Sequence, residues 1–334
     1  MAKCNTKMRK PRRKHSKEPQ AILLLPQPAR VMPLEMQEAL RAGIIDSYQM
    51  GDIKERTVID NQKNTLLYLK WCNGNGFQAV PCSDEQAEAF VIYAANKTES
   101  RETLLKWMQS IRWLHKMVGI DDWYMPTRCK RRLTAATNTG MVKQPKQSNP
   151  ITGEMLDALA MKVNVASRAE MLPMMILMIQ HSMGARVDEV RLLERRHCRP
   201  HEDGTADVMV ARSKMDQGGV GMWKLLNRTA YAYWLRFQKL HPVQSEYLIS
   251  RENGEPYAAG TVKVVVQNFL RKHGVDASSH GARIGFVQDS VSVGIDPLMV
   301  VKYVGWKGPA QYLNYTRNVS VQNVGRQIAE AFGR

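Results

Sequence analysis

The sequence predicts a mainly α-helical protein with a small antiparallel β-sheet, divided into two domains. Three observations carry this reading. The chain has 334 residues, about twice the roughly 150 residues of a common domain. Apolar residues recur at three- and four-residue steps through most of its length, which is the spacing of helices that bury one face. One stretch, residues 207–226, reads instead as two short strands joined through Asp216-Gln217-Gly218-Gly219, a hairpin-type turn. Hydrophobic residues at 44% and charged residues at 24% are ordinary for a globular protein and supply enough apolar material for a real core.

Residues 1–33 read as a disordered basic arm. Lys3, Lys7, Arg9, Lys10, Arg12, Arg13, Lys14 and Lys17 precede any strong periodicity, no acid stands before Glu18, and prolines at 11, 19, 26, 28 and 33 block regular structure. Residues 34–137 read as a helical domain. Its clearest helix starts at Ser100: Leu104, Met108, Ile111, Leu114 and Val118 share one face, while Arg101, Lys106, Arg112 and Lys116 lie largely off that stripe. A helix greasy on one side and basic on the other suits a bundle that lies against DNA, though solvated basic faces are common. Helical patterns also cover residues 55–72 and 83–95. Ser83 with Asp84, Glu85 and Gln86 supplies a capping side chain and first-turn acids. A further basic helix carries Arg128, Lys130, Arg131 and Arg132.

Residues 138–150 are polar, hold Gly140, Pro145 and Pro150, lack periodicity, and read as a linker. Residues 151–334 then form the second, mixed domain. Helices are expected over 153–163, 169–183 and 184–194, strands over 207–212 and 221–226, and helices again over 229–239, 261–273 and 281–291. Short helices lead to a last one with the apolar stripe Val321, Val324, Ile328 and Phe332.

Lys and Arg total 48 against 31 Asp and Glu, a net charge of +17, and such a surplus calls for a polyanionic partner. Nucleic acid leads; an anionic membrane surface comes second. No apolar run is long enough to span a bilayer, and the stretch 21–25 is too short, and too soon broken by Pro26, for a secretory signal. The five cysteines include no CxxC pair, which fits reduced thiols in a cytoplasm. Gly74-Asn75-Gly76 with Ala79 imitates a dinucleotide turn but follows a helical pattern, so a helix C-cap is the better reading. His197, Cys198 and His201 have no remote ligand pair at zinc spacing.

The second domain also holds a set of chemistry-bearing residues. Gly184-Ala185-Arg186 is followed one turn on by Glu189. Lys214 sits beside the hairpin turn. His280-Gly281-Ala282-Arg283 comes next, then Gly305-Trp306, then Tyr315. Arginine forks grip two non-bridging oxygens of a phosphodiester and stay charged at any working pH. Donors placed on the developing charge are usually the largest catalytic contribution. A tyrosine can attack phosphorus and conserve the broken bond's energy in a covalent link. A lysine ammonium can protonate the departing sugar oxygen, and a histidine can take the tyrosine proton or donate to the phosphate. The set supports phosphoryl transfer with no metal ion and no nucleotide cofactor. Singly, each has an ordinary reading: Arg186 as partner of Glu189 or Asp188, Lys214 as a hairpin lysine, His280 and Trp306 as core residues, Tyr315 as one of three neighbouring tyrosines with Tyr303 and Tyr312. Their joint order and spacing changes the odds.

That order resembles the tyrosine recombinases, the lambda integrase family: Arg, Lys on a hairpin, His-x-x-Arg, His or Trp, Tyr. The matching positions are Arg186, Lys214, His280 with Arg283, Trp306 and Tyr315, with Glu189 at the acidic position of the first arginine box. Trp306 in place of the commoner histidine, and Tyr315-Thr316-Arg317, are similar to the Cre-type phage recombinases. In the first domain the stretches 66–72, 90–93 and 110–115 are similar in layout to the helical core-binding domain of that type. The basic arm has no such counterpart, and Trp306 can donate an N–H but cannot shuttle a proton.

The resemblance implies a C-shaped clamp on double-stranded DNA with inverted-repeat sites, built from a helical core-binding domain and a catalytic domain. It implies site-specific recombination, with Tyr315 forming a 3′-phosphotyrosyl link and strand exchange passing through a Holliday junction. Arg186 and Arg283 then hold the phosphate, Trp306 and His280 complete the cage, Lys214 protonates the 5′-oxygen, and Glu189 orients its neighbours. It further implies a homotetramer on two DNA sites, accessory DNA-bending proteins in some systems, a phage or mobile-element role, and a place in a bacterial or host cytoplasm at the nucleoid. A type IB topoisomerase and a non-catalytic DNA-binding protein on the same scaffold are the alternatives.

Overall fold

The computed structural model describes residues 31–51, 53–143, 147–211 and 220–316. It falls into two compact units, Met1–Lys146 and Gln147–Arg334.

The first unit is all helical: α1 (Leu34–Gln49), α2 (Glu55–Asn75), α3 (Asp84–Ala95), α4 (Arg101–Met117) and α5 (Thr127–Asn138). Ser83 Oγ accepts from the Gln86 amide and Ser100 Oγ from the Thr103 amide, so α3 and α4 start at side-chain caps. Gly76, at φ 70°, ends α2 in the left-handed conformation. Leu104, Met108, Ile111 and Leu114 of α4 are buried with Tyr68, Leu69 and Cys72 of α2. The buried His115 ring fastens the loop before α3, its Nε2 accepting from the Cys82 amide at 2.9 Å. Arg112, Lys116, Arg128, Lys130 and Arg131 stay exposed. The Arg112 guanidinium lies 4.7 Å from the centre of the Tyr124 ring, beside a groove of about 380 Å³ lined by Arg101, Arg112, Trp123, Tyr124 and Lys130.

The second unit is built around α7 (Arg168–Met183), which is apolar on all sides and buried from Met171 to Gln180. Packed round it are α6 (Gly153–Ala160), α8 (Val187–Val190), α9 (Arg228–Leu240), α10 (Ala259–Lys272) and α11 (Gly281–Ser292). α12 (Pro297–Val304) and α13 (Ala310–Thr316) close a smaller cluster with α11. The sheet is antiparallel in the order β1 (Cys198–Pro200), β2 (Ala206–Val210), β3 (Met222–Leu226), with Val208 opposite Cys198 and Lys224. α11 meets the chain where it enters this unit. The Ile151 amide donates to Gly281 O, and a Cβ at Gly285 would stand 1.9 Å from Ile151 O. Only glycine admits that approach.

Three differences from the sequence reading have physical causes. Residues 184–194 are not one helix. Gly184 ends α7 at φ 54° and Arg186 is extended, so only the single turn of α8 forms, with Val187 and Val190 pointing inward. β1 was not expected, being too short to show alternation. Val31 and Met32, assigned to the arm, are buried, and Val31 O accepts from the Ala79 amide. Residues 1–30 of the arm, Lys214 with the hairpin turn, and the stripe Val321, Val324, Ile328 and Phe332 lie outside the described residues. No helix among the described residues is long and apolar enough to cross a membrane.

Candidate active site

Five elements of the second unit deliver the chemistry-bearing side chains to one place. Gly184 is the hinge. A side chain there would meet Phe286 at 2.7 Å and Val304 at 2.8 Å. The bare left-handed turn lets the chain leave α7 between α11 and α12 and put Arg186 at the head of α8. Glu189 then bonds back twice: Oε2 accepts from the Arg186 amide and Oε1 from Arg186 Nη1, both at 2.8 Å. This reciprocal cap fixes both side chains and aligns the guanidinium.

Arg283, one turn into α11, is fully buried at 0% exposure. Its Nη1 donates to Gly184 O at 2.7 Å and its Nη2 to Val304 O at 3.1 Å. Glu189 Oε2 lies 3.8 Å from Nη1, and the Trp306 ring centre 5.2 Å from the guanidinium carbon. The buried Nε–H has no acceptor. Burial, then repulsion from Arg186, pulls the guanidinium down to about 10, so it remains charged at neutral pH.

Tyr315, on α13, stands edge-on to two rings, with centroids 5.5 Å from His280 and 4.9 Å from Trp306. Its hydroxyl is the hydrogen-bond partner of His280 Nε2. Gln288 of α11 donates to its backbone carbonyl at 3.0 Å, steadying the end of the helix. Burial raises the phenol's proton affinity, while Arg283 and Arg186 pull it down. The other two tyrosines are placed differently. The Tyr303 hydroxyl accepts from the Leu225 amide, and Tyr312 is buried in the α11–α13 cluster.

His280 caps α11 and borders a groove of about 590 Å³ with Arg186, Lys263, Ser278 and Gln267. Burial, then the charges of Arg283, Arg186 and Lys263, lowers its imidazole to about 4. The ring is therefore neutral at pH 7, and with its proton on Nδ1 its Nε2 is free to accept from Tyr315. This shift sets a pH dependence of stability. The unfolded chain protonates His280 near its ordinary 6.5 and the folded chain only near 4. Stability is then fully present above 6.5 and declines as pH falls through that window. In thermal melts across this range, His280→Gln is expected to flatten the decline; an unchanged slope would assign it to other groups.

The structure thus brings Arg186, Glu189, His280, Arg283, Trp306 and Tyr315 together, while Lys214 lies outside the described residues. The sequence reading missed Lys224. It is buried on β3, its Nζ donates to Met183 O at 2.9 Å, and it lines a cleft of about 400 Å³ with Glu189, Lys302, Trp306 and Lys307. A signal was present, because Lys224 breaks the apolar alternation of Met222, Lys224 and Leu226 on the inward side of the strand.

No protein-family model matches the sequence, and comparison with curated proteins gives no match. Solved structures do match. The Tn1549 transposon integrase in complex with transposon right end DNA is 13% identical, with a TM-score of 0.64 over 89% of this chain and 99% of that one. The XerH site-specific recombinase bound to difH substrate is 12% identical, with a TM-score of 0.60 over 88% of this chain and 84% of that one. A lambda integrase bound as a dimer to a core site is 13% identical, with a TM-score of 0.58 over 83% and 76%. The fold, mainly helical with a small antiparallel sheet, is the one these recombinases and integrases share.

Proposed function

We propose that this chain is a tyrosine-type site-specific DNA recombinase that cuts and rejoins duplex DNA through a 3′-phosphotyrosyl intermediate. The observation that carries the reading is the Tyr315 hydroxyl hydrogen-bonded to a neutral His280, with two arginines tied to one buried carboxylate beside it. The likeness of fold to recombinases and integrases bound to DNA supports the substrate class. The net charge of +17 supports a polyanionic partner.

In this mechanism His280 Nε2 takes the phenol proton as Tyr315 Oη forms the bond to phosphorus. Arg186 and Arg283 hold the non-bridging oxygens, where Arg283 brings its unspent Nε–H, and Trp306 adds its indole N–H. Glu189 keeps Arg186 and Arg283 in register. Lys214 gives the proton to the departing 5′-oxygen. The free 5′-hydroxyl of a partner strand then attacks the phosphotyrosine, and a second exchange resolves a Holliday junction. No metal or nucleotide cofactor is required by these roles. Both units contact the duplex, the first through the basic faces of α4 and α5. Four copies assemble on two inverted-repeat sites, with the C-terminal stripe docking between protomers and DNA-bending proteins assisting in some settings. A Cre-type relationship, a phage or mobile-element role and a cytoplasmic, nucleoid-associated location complete the proposal.

Covalent capture tests it. Wild-type protein is incubated with a nicked duplex library carrying randomised arms, the mixture is denatured, and attached DNA is sequenced. Adducts enriched in inverted repeats support the reading. Enrichment by binding without adduct would identify a DNA-binding module. Relaxation of supercoiled plasmid by a monomer without strand exchange would identify a topoisomerase.

A further inference from the structure

The inward face of β3 is an apolar place. Leu226 is fully buried, and the residue opposite Lys224 on β2 is the fully buried Val208. Lys224 sits there at 4% exposure. Burying an ammonium is costly unless its surroundings compensate. One N–H goes to the carbonyl of Met183, the last residue of α7, and the charge lies 5.2 Å from the centre of the Tyr303 ring on α12. Neither partner is an anion. The nearby carboxylate is Glu189 on α8, which lines the same cleft and already serves Arg186. Burial, with repulsion from Arg283 and Arg186 set against the attraction of Glu189, brings Lys224 down to about 8. Across the cleft stand Lys302 and Lys307.

The charges at the site can be added. Among the described residues Arg186, Arg283 and Lys224 surround the carboxylate of Glu189, so Lys224 raises the fixed excess there from one positive charge to two. As tyrosinate adds, the phenol proton moves onto His280 while negative charge gathers on the phosphorus oxygens that the arginines hold. A fixed cation beside those arginines therefore gains attraction as five-coordinate phosphorus forms. Binding that improves only as the transition state forms is the kind that accelerates chemistry.

We propose that Lys224 is a positioning residue that acts from beneath the site. Its ammonium, anchored on Met183 O, supplies the charge that favours five-coordinate phosphorus over the bound diester. The inference rests on the recombinase reading above. It is distinct from leaving-group protonation, which that reading gives to Lys214.

Single-turnover adduct formation by wild type and Lys224→Met tests it, with DNA affinity and melting temperature measured on the same preparations. Methionine has nearly the length of lysine and suits an apolar strand position, so the variant is expected to melt at or above the wild-type temperature. DNA affinity changes by less than about twofold, because the side chain is buried, while adduct formation slows by about 30- to 100-fold. The slowing persists on a duplex whose scissile 5′-oxygen is replaced by sulfur, which leaves without a proton. The decline in rate that Lys224 contributes above pH 8 disappears in the variant, whereas Tyr303, Lys302, Lys307 and Tyr315 are present in both proteins. Wild-type rates in the variant would overturn the inference. So would a lowered melting temperature, which marks a structural role, or rescue by sulfur, which marks a proton donor. Each of these leaves the recombinase reading standing. Failure of the wild type to form any adduct overturns the reading and this inference with it.

Discussion

Tyr315→Phe is expected to bind DNA as tightly as wild type, within about twofold, while covalent adduct falls by more than about 10⁴-fold. Both halves follow from the geometry. The phenylalanine ring keeps the edge-on packing against His280 and Trp306, and the Gln288 bond to the backbone carbonyl of residue 315 is untouched. Affinity for DNA comes chiefly from many phosphate contacts, so one hydroxyl contributes little to it. In the proposed mechanism the same hydroxyl is the whole nucleophile, and neither neighbouring tyrosine is placed to replace it. The Tyr303 hydroxyl already accepts from the Leu225 amide, and Tyr312 is buried in the α11–α13 cluster. Tyr312→Phe is the matched control, expected to retain adduct near wild-type yield. Denaturing gels of both variants on a nicked duplex read the outcome; adduct kept by Tyr315→Phe and lost with Tyr312→Phe would move the nucleophile.

Arg283→Ala is expected to damage both fold and chemistry. Its guanidinium joins α7 to α12 through Gly184 O and Val304 O, faces Glu189, and packs against Trp306. Removing it strands two carbonyls and takes one cation from a buried carboxylate, a loss of about 3–5 kcal/mol in unfolding free energy. Adduct formation falls by about 10³-fold or more, the scale for losing a donor on developing charge. Arg283→Lys separates the two effects. It restores the charge but not the planar fork that spans both carbonyls. Part of the stability returns, while the rate stays at least about 10²-fold low. Urea unfolding and single-turnover adduct assays on both variants are the measurements. Wild-type stability in Arg283→Ala would show that the buried fork is not what ties α7 to α12.

Local periodicity carried much of the fold into the sequence. The stripe of α4 is legible because each apolar residue meets the same core, and Ser83 and Ser100 mark helix starts because their hydroxyls satisfy amides that the helix leaves open. β1 is not legible, since three residues hold no period. The stretch after Gly184 reads as a helix because Val187, Val190 and Leu193 step by three. That spacing fits a chain that turns inward repeatedly as well as one continuous helix, and the left-handed glycine decides between them. For the candidate site, order and spacing bring Arg186, Glu189, His280, Arg283, Trp306 and Tyr315 to notice, because each stands in a local motif. Lys224 has no motif. Its meaning lies in which face of β3 points at Glu189 and Arg283, and only the pairing of β2 with β3 determines that.

The contact between α11 and the start of the second unit has a mechanical consequence. At Gly281 and Gly285, backbone lies directly on backbone near Asn149 and Ile151, with no side chain between them to rotate and absorb a shift. The arriving chain and the helix bearing His280 and Arg283 therefore move as one stiff part. A pull on residues 149–151 is delivered to the imidazole and the guanidinium undamped, and a substitution that pads the contact would decouple the two.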